Sequence, residues 1–233
     1  LRDELIAKVR AVLNLEMAKV RSSIDLLARE RPVPQQRCDE GPVVRSGPVD
    51  IVAIAASTGG PPAIQAIITS LPADLGASIV ISQHMPAGFT RSFAERLNKL
   101  SPLIVAEASP GERIRPGMVF IAPGGQHLLV RRDRDGLYAE IVERGPADKY
   151  VPSADRMMAS VAEVCGPAAL GIVLTGMGND GAQGAAAIRR QQGQCLAESE
   201  ESSVIFGMPQ EAIRAGAVDK VLPLAAIADE IIA

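Results

Sequence analysis

From Val49 onward, short apolar runs alternate with stretches whose apolar residues recur every three or four positions. Runs of the first kind read as buried strands and those of the second as helices packed on one face. The pattern predicts strands at Ile51–Ala56, Ala77–Gln83, Ile104–Ala106, Met118–Ala122, Ala169–Thr175, Gln194–Ala197 and Asp219–Leu222. Helices are predicted at Pro62–Ser70, about Thr90 to Leu100, Pro152–Cys165, Ala182–Gln192, Pro209–Ala215 and Leu224–Ile232. Leu128–Arg132 and Tyr138–Glu143 flank R-D-R-D-G, a turn signal, and predict a hairpin. Apolar strands without alternation, interleaved with helices, imply a sheet covered on both faces. The expected fold is therefore α/β: a doubly wound, mainly parallel sheet with helices on both faces and an added antiparallel β-hairpin.

The first 48 residues follow another pattern. Residues 1–30 lack Gly and Pro, and Leu5, Val9, Leu13, Met17, Val20, Ile24 and Leu27 trace one helical face. Arg31–Pro48 holds four prolines and two glycines and reads as a linker. The division expected is 1–48 as helix and linker and 49–233 as the main domain. The helix is either a cap on that domain or a connector to a domain upstream. Because the first residue is Leu rather than Met, the chain reads as a piece of something longer.

Composition narrows the function classes. Hydrophobic residues make up 47% of the 233, and aromatic residues only 3%, so the core must be aliphatic. A formal charge of -3 argues against a general nucleic-acid binder. No apolar run has the length for a membrane span and there is no secretory leader, so a cytoplasmic protein without membrane insertion is expected. Cys38, Cys165 and Cys195 are odd in number, far apart and not in C-x-x-C spacing, which argues against a disulfide framework or a zinc site.

The candidate chemistry lies at strand ends, where open α/β sheets bind ligands. The Ile51–Ala56 run stops at the corner Ser57-Thr58-Gly59-Gly60, followed by two prolines suited to a first helical turn. Such a corner serves either a phosphate or a nucleophilic serine. The second strand ends in Gln83-His84, and the strand from Ala169 runs into Gly176-Met177-Gly178-Asn179-Asp180-Gly181. Ser57, His84 and Asp180 are the residue types of nucleophilic acyl transfer, in which histidine takes the serine's proton and a carboxylate orients the ring. Each alone could be a cap or turn residue. The phosphate reading is weaker, because neither G-x-x-x-x-G-K-[ST] nor G-x-G-x-x-G is present. The other histidine, His127, opens a hairpin strand and reads as structural.

Five blocks then carry a resemblance: A-S-T-G-G-P (56–61), Q-H-M-P-x-G-F-T-x-S-F-A-x-R-L-N (83–98), P-G-x-x-x-I-A-P-G-G-x-H (116–127), L-T-G-M-G-N-D-G-A-x-G (174–184) and S-S-V-I-F-G-M-P-x-E-A-I-x-x-G-A-V-D (202–219). In this order they resemble the catalytic domain of CheB, the chemotaxis protein-glutamate methylesterase and glutamine deamidase, over about Val49 to Ala233. The resemblance implies Ser57, His84 and Asp180 as the catalytic triad and the Met177 backbone N–H as an oxyanion donor. The backbone N–H of Thr58, at the serine corner, is the second expected oxyanion donor. It implies no metal or organic cofactor. The implied partners are methylated chemoreceptor cytoplasmic helices, an upstream receiver domain absent from this chain and, through it, a histidine kinase. Residues 1–14 look like the end of a receiver's last helix. Two departures stand out: Ala55 replaces a usual Gly, and V-P-S-A-D (151–155) replaces a common H-R-P-S-V-D block without its His-Arg pair. The departures motivate an alternative, a catalytically silent receptor-binding module of the same fold; nucleotide binding at the Gly-rich corners is a third reading.

Overall fold

The structure, a computed structural model, describes residues 49–233. The helix and linker expected over 1–48 lie outside the described residues. Seven strands form one sheet: β1 (Ile51–Ala56), β2 (Ser78–Gln83), β3 (Ile104–Glu107), β5 (Met118–Ile121), β8 (Ala169–Val173), β9 (Gln194–Glu198) and β10 (Lys220–Leu222). Their order is β10-β9-β8-β1-β2-β5-β3, and every pairing is parallel. The expected doubly wound parallel sheet is thus present.

Both faces are covered, which is why the strands read as unbroken apolar runs. On one face Val52, Ile54 and Ala56 pack with α1 (Gly60–Ser70), α2 (Phe89–Leu100) and α6 (Leu224–Ile232). On the other, Ile51, Ala53 and Ala55 pack with α3 (Ala154–Cys165), α4 (Ala182–Arg190) and α5 (Met208–Arg214). The aliphatic composition suits this arrangement, since β1 is wholly buried between two helical layers.

The hairpin of β6 (Gln126–Asp133) and β7 (Gly136–Glu143) turns through Arg134-Asp135. A short strand, β4 (Arg113–Ile114), pairs antiparallel with β7, so the expected hairpin is part of a three-stranded sheet. Two residues are too few to show a periodicity, and β4 is held from outside: the Arg113 guanidinium reaches both oxygens of Asp133, at 2.6 and 2.9 Å.

The chain passes from β1 to β2 on one side and later fills β8, β9 and β10 on the other. The reversal opens a crevice at the carboxyl ends of β1 and β8, where the sheet's topology puts a ligand site. Nearby, α3 and α4 approach closely because residue 184 lacks a side chain. A Cβ at Gly184 would lie 2.6 Å from Met158 Cβ and 3.0 Å from Asp155 Cα. Gly184→Ala is expected to cost about 1–3 kcal/mol through overpacking. Urea unfolding checks this, and an unchanged midpoint would contradict the close approach.

Candidate active site

Sheet register brings the serine and histidine side by side. Ala56 pairs with Gln83, so Ser57 and His84 are the next residues out of adjacent parallel strands. The His84 backbone N–H donates to Ala56 O at 3.1 Å, and that of Ser57 to Thr175 O at 3.1 Å. Gln83 ties the two ends together: its Nε2 donates to Ser57 O at 2.9 Å and to His84 O at 3.2 Å. The glycine-rich loop abuts the serine, since a Cβ at Gly176 would lie 2.8 Å from Ser57 Cβ.

Asp180 is held from all sides. Its Oδ2 accepts from His84 Nε2 at 2.8 Å and from the Ala154 N–H at 2.7 Å. Oδ1 accepts from the Asp155 N–H at 2.9 Å and from Ser153 Oγ at 3.1 Å. A carboxylate offers about four acceptor positions, and four donors fill them. Ala154 and Asp155 belong to the first turn of α3, whose N–H groups have no partner within the helix. Asp180 therefore sits where both the free donors and the helix dipole favour negative charge. The exchange is reciprocal: Asp155 Oδ1 accepts from Gly181 and Gly184 N–H, both at 2.8 Å, at the start of α4.

The two carboxylates respond differently. Burial pushes Asp180 upward, but the His84 hydrogen bond and the Asp155 and Ala154 N–H groups outweigh it, so its pKa lies below the usual carboxylate value. For Asp155 burial prevails, and the Asp180 charge adds to it, so that carboxyl is raised. Because ionised Asp180 can only accept, the proton on Nε2 belongs to His84. The other ring nitrogen, Nδ1, is left as an available base.

Tyr150 covers the imidazole. Its ring stacks on His84 with centroids 5.1 Å apart and planes 4° from parallel, and its hydroxyl donates to Asn179 Oδ1 at 3.2 Å. Tyr150 and Val151 stand directly before Pro152, where the His-Arg pair was missed. An aromatic face has thus taken up a place beside the ring. Ala55, the other departure, is fully buried, and its methyl lies under the Asp180 turn, 3.1 Å from where a Gly181 Cβ would be.

A deeper layer supports these groups. His127 is fully buried; its Nε2 donates to Asp148 Oδ2 at 2.9 Å and its Nδ1 accepts the Ser153 N–H at 3.1 Å. It thereby fixes the residue that caps α3 and bonds Asp180. Buried Glu198 accepts the Thr175 N–H at 2.8 Å and Ser202 Oγ at 3.0 Å, anchoring the far wall. Thr175 Oγ1 donates to Thr58 O at 3.0 Å and accepts from the Ile205 N–H at 2.9 Å.

Of the residues expected from the sequence, His84 and Asp180 are bonded directly and Ser57 adjoins His84 by register. No hydrogen bond joins Ser57 Oγ to the ring among the described residues. Met177 is 71% exposed, and neither its backbone N–H nor that of Thr58 has an acceptor among the described residues. The Gln83 clamp, Tyr150, Asp155, Ser153 and Glu198 were not singled out as site residues. Only Ser153 had a local signal, as a serine beside proline at a helix start.

Residues 52–231 match the family model described as CheB methylesterase. The chain belongs to the CheB methylesterase family. A protein-glutamate methylesterase/protein-glutamine glutaminase of Geobacter sulfurreducens is 48% identical over 100% of this chain and 66% of its own length. One of Myxococcus xanthus is 49% identical over 78% of this chain and 52% of its own. The chain thus spans about half to two thirds of the relatives it matches. Among solved structures, the CheB methylesterase catalytic domain of Thermotoga maritima aligns with a TM-score of 0.77 and 39% identity, covering 80% of this chain and 98% of that one.

The Asp180 cage has a pH signature. A carboxyl whose pKa is depressed on folding adds stability above its unfolded value and loses it as pH falls through the folded one. Asp180→Asn is expected to lower stability at pH 7 by about 1–3 kcal/mol, with the gap closing below pH ~4. Urea midpoints across a pH series read this, and a gap independent of pH would contradict it.

Proposed function

We propose that the chain is a serine hydrolase that demethylates glutamyl methyl esters on bacterial chemoreceptors and deamidates glutamines at such sites. The observation that carries the reading is the Asp180–His84 hydrogen bond at 2.8 Å, beside Ser57 at the strand-end crevice. Family membership and the relatives' names supply the substrate class.

The geometry supports the following roles. Asp180 keeps the proton on Nε2, so Nδ1 takes the proton of Ser57 Oγ as the oxygen attacks the γ-carbonyl. Active sites commonly complete the serine–imidazole hydrogen bond only with substrate bound. The new imidazolium is stabilised by the buried carboxylate at its other nitrogen. Carbonyl oxygen takes up negative charge, and the Met177 and Thr58 N–H groups are suited to receive it. The imidazolium returns its proton to the leaving oxygen, methanol departs and Ser57 carries a glutamyl ester. Water then attacks, giving its proton to the imidazole, and free glutamate and serine result. With an amide in place of the ester the same sequence releases ammonia. Every step uses residues of this chain and water.

Exposed Met177 and Val204, at 71% and 67%, flank the serine corner and give a protein substrate an apolar rim to rest on. The reading includes the partners implied by the family: cytoplasmic receptor helices as substrate and a receiver domain preceding this region in the longer protein. No helix among the described residues is long and apolar enough to cross a membrane. The proposal is of a cytoplasmic enzyme.

Ser57→Ala is expected to lower kcat for methanol release from methylated receptor membranes on the order of 10³-fold or more. Release at a near-normal rate by that variant would remove Ser57 from the mechanism.

A further inference from the structure

A cleft of about 380 Å³ opens beside His84 and Tyr150, with Met85 and Pro86 along it and Arg144 and Lys149 at its wall. Its charge is lopsided, for two cations line it and no carboxylate does. Among the described residues Lys149 Nζ meets only neutral groups: Asn179 Oδ1 at 3.4 Å and the Tyr150 ring at 4.7 Å. Arg144 makes no ion pair among the described residues. Several described cations elsewhere are matched, Arg113 by Asp133, Arg131 by Glu140, Arg156 by Asp148 and Lys220 by Glu230. Neither cation has an ion-pair partner among the described residues, and both line the His84 cleft of a chain whose formal charge is -3.

We propose that this cleft is an anionic subsite, in which Arg144 and Lys149 receive the carboxylate of an acidic side chain flanking the reacting residue of the protein substrate. The proposal rests on the hydrolase reading above. Chemistry supplies the partner: each turnover replaces a neutral ester by a glutamate, so a substrate with several sites accumulates carboxylates around those remaining. The cations would hold such a neighbour while the ester lies at Ser57. Since the wall is exposed, its attraction is screened by salt and falls on binding more than on the chemical step. Lys149 lies over the ring of Tyr150, the residue stacked on His84, so the cleft's charge sits beside the imidazole.

The test uses two peptides sharing one glutamyl methyl ester, one flanked by glutamates and the other by alanines. Hydrolysis is followed by methanol release and binding by fluorescence anisotropy, with the whole chain throughout. Wild type is expected to favour the acidic peptide through KM, and Arg144→Glu with Lys149→Glu to raise that KM about 3- to 10-fold. The same pair of substitutions should reverse the salt dependence, since added salt then relieves a repulsion instead of weakening an attraction. Hydrolysis by wild type without preference would overturn the subsite and leave the serine chemistry standing. Acid-selective binding that is lost on charge reversal, without hydrolysis of either peptide, would uphold the subsite and overturn the serine reading.

Discussion

One buried carboxylate organises the site. Asp180 is 1% exposed, yet four donors occupy its two oxygens, two of them from the first turn of α3. An unpaired charge in that position would be costly, and a pair broken on one side still more so. The fold meets the cost with a helix N-terminus, whose free N–H groups need an acceptor in any case. The His84 ring then has its proton fixed by a group that is itself fixed. Asp155 repays the arrangement at the start of α4, so the helices that carry the site are joined through each other's N-termini.

The remaining constraints act on backbone rather than on charge. Parallel pairing of β1 and β2 sets Ser57 and His84 abreast, and Gln83 holds both carbonyls with one amide. On the other side of β1, Thr175 and Glu198 secure the segment carrying Val204 and Ile205. The serine corner is thus braced from both neighbouring strands. The Met177 and Thr58 N–H groups have no acceptor among the described residues.

Much of this was legible from patterning. Strands buried on both faces leave unbroken apolar runs, and all seven strands of the large sheet were expected within a residue or two. Ser57 and His84 could be named because each directly follows an apolar strand, and Asp180 because it lies in the Gly-rich loop after another. β4 could not, as its two residues owe their place to Arg113 pairing with Asp133, twenty positions away. Nor could Tyr150: nothing in K-Y-V-P announces that its ring will lie flat on an imidazole from a distant strand. Ala55 stands out in the sequence as a departure near the serine corner, and alternation along β1 sends its methyl toward Gly181 and the helical layer. Long-range contacts of this kind leave no local trace.

The account's central claim is that Asp180 and His84 make Ser57 a nucleophile. Labelling of the whole chain with an active-site-directed fluorophosphonate, read by mass spectrometry, tests it most directly. The account predicts one adduct on Ser57 in the wild-type protein and none at a comparable rate in His84→Ala. Absence of the adduct from wild type, or equal labelling of the two proteins, would contradict it.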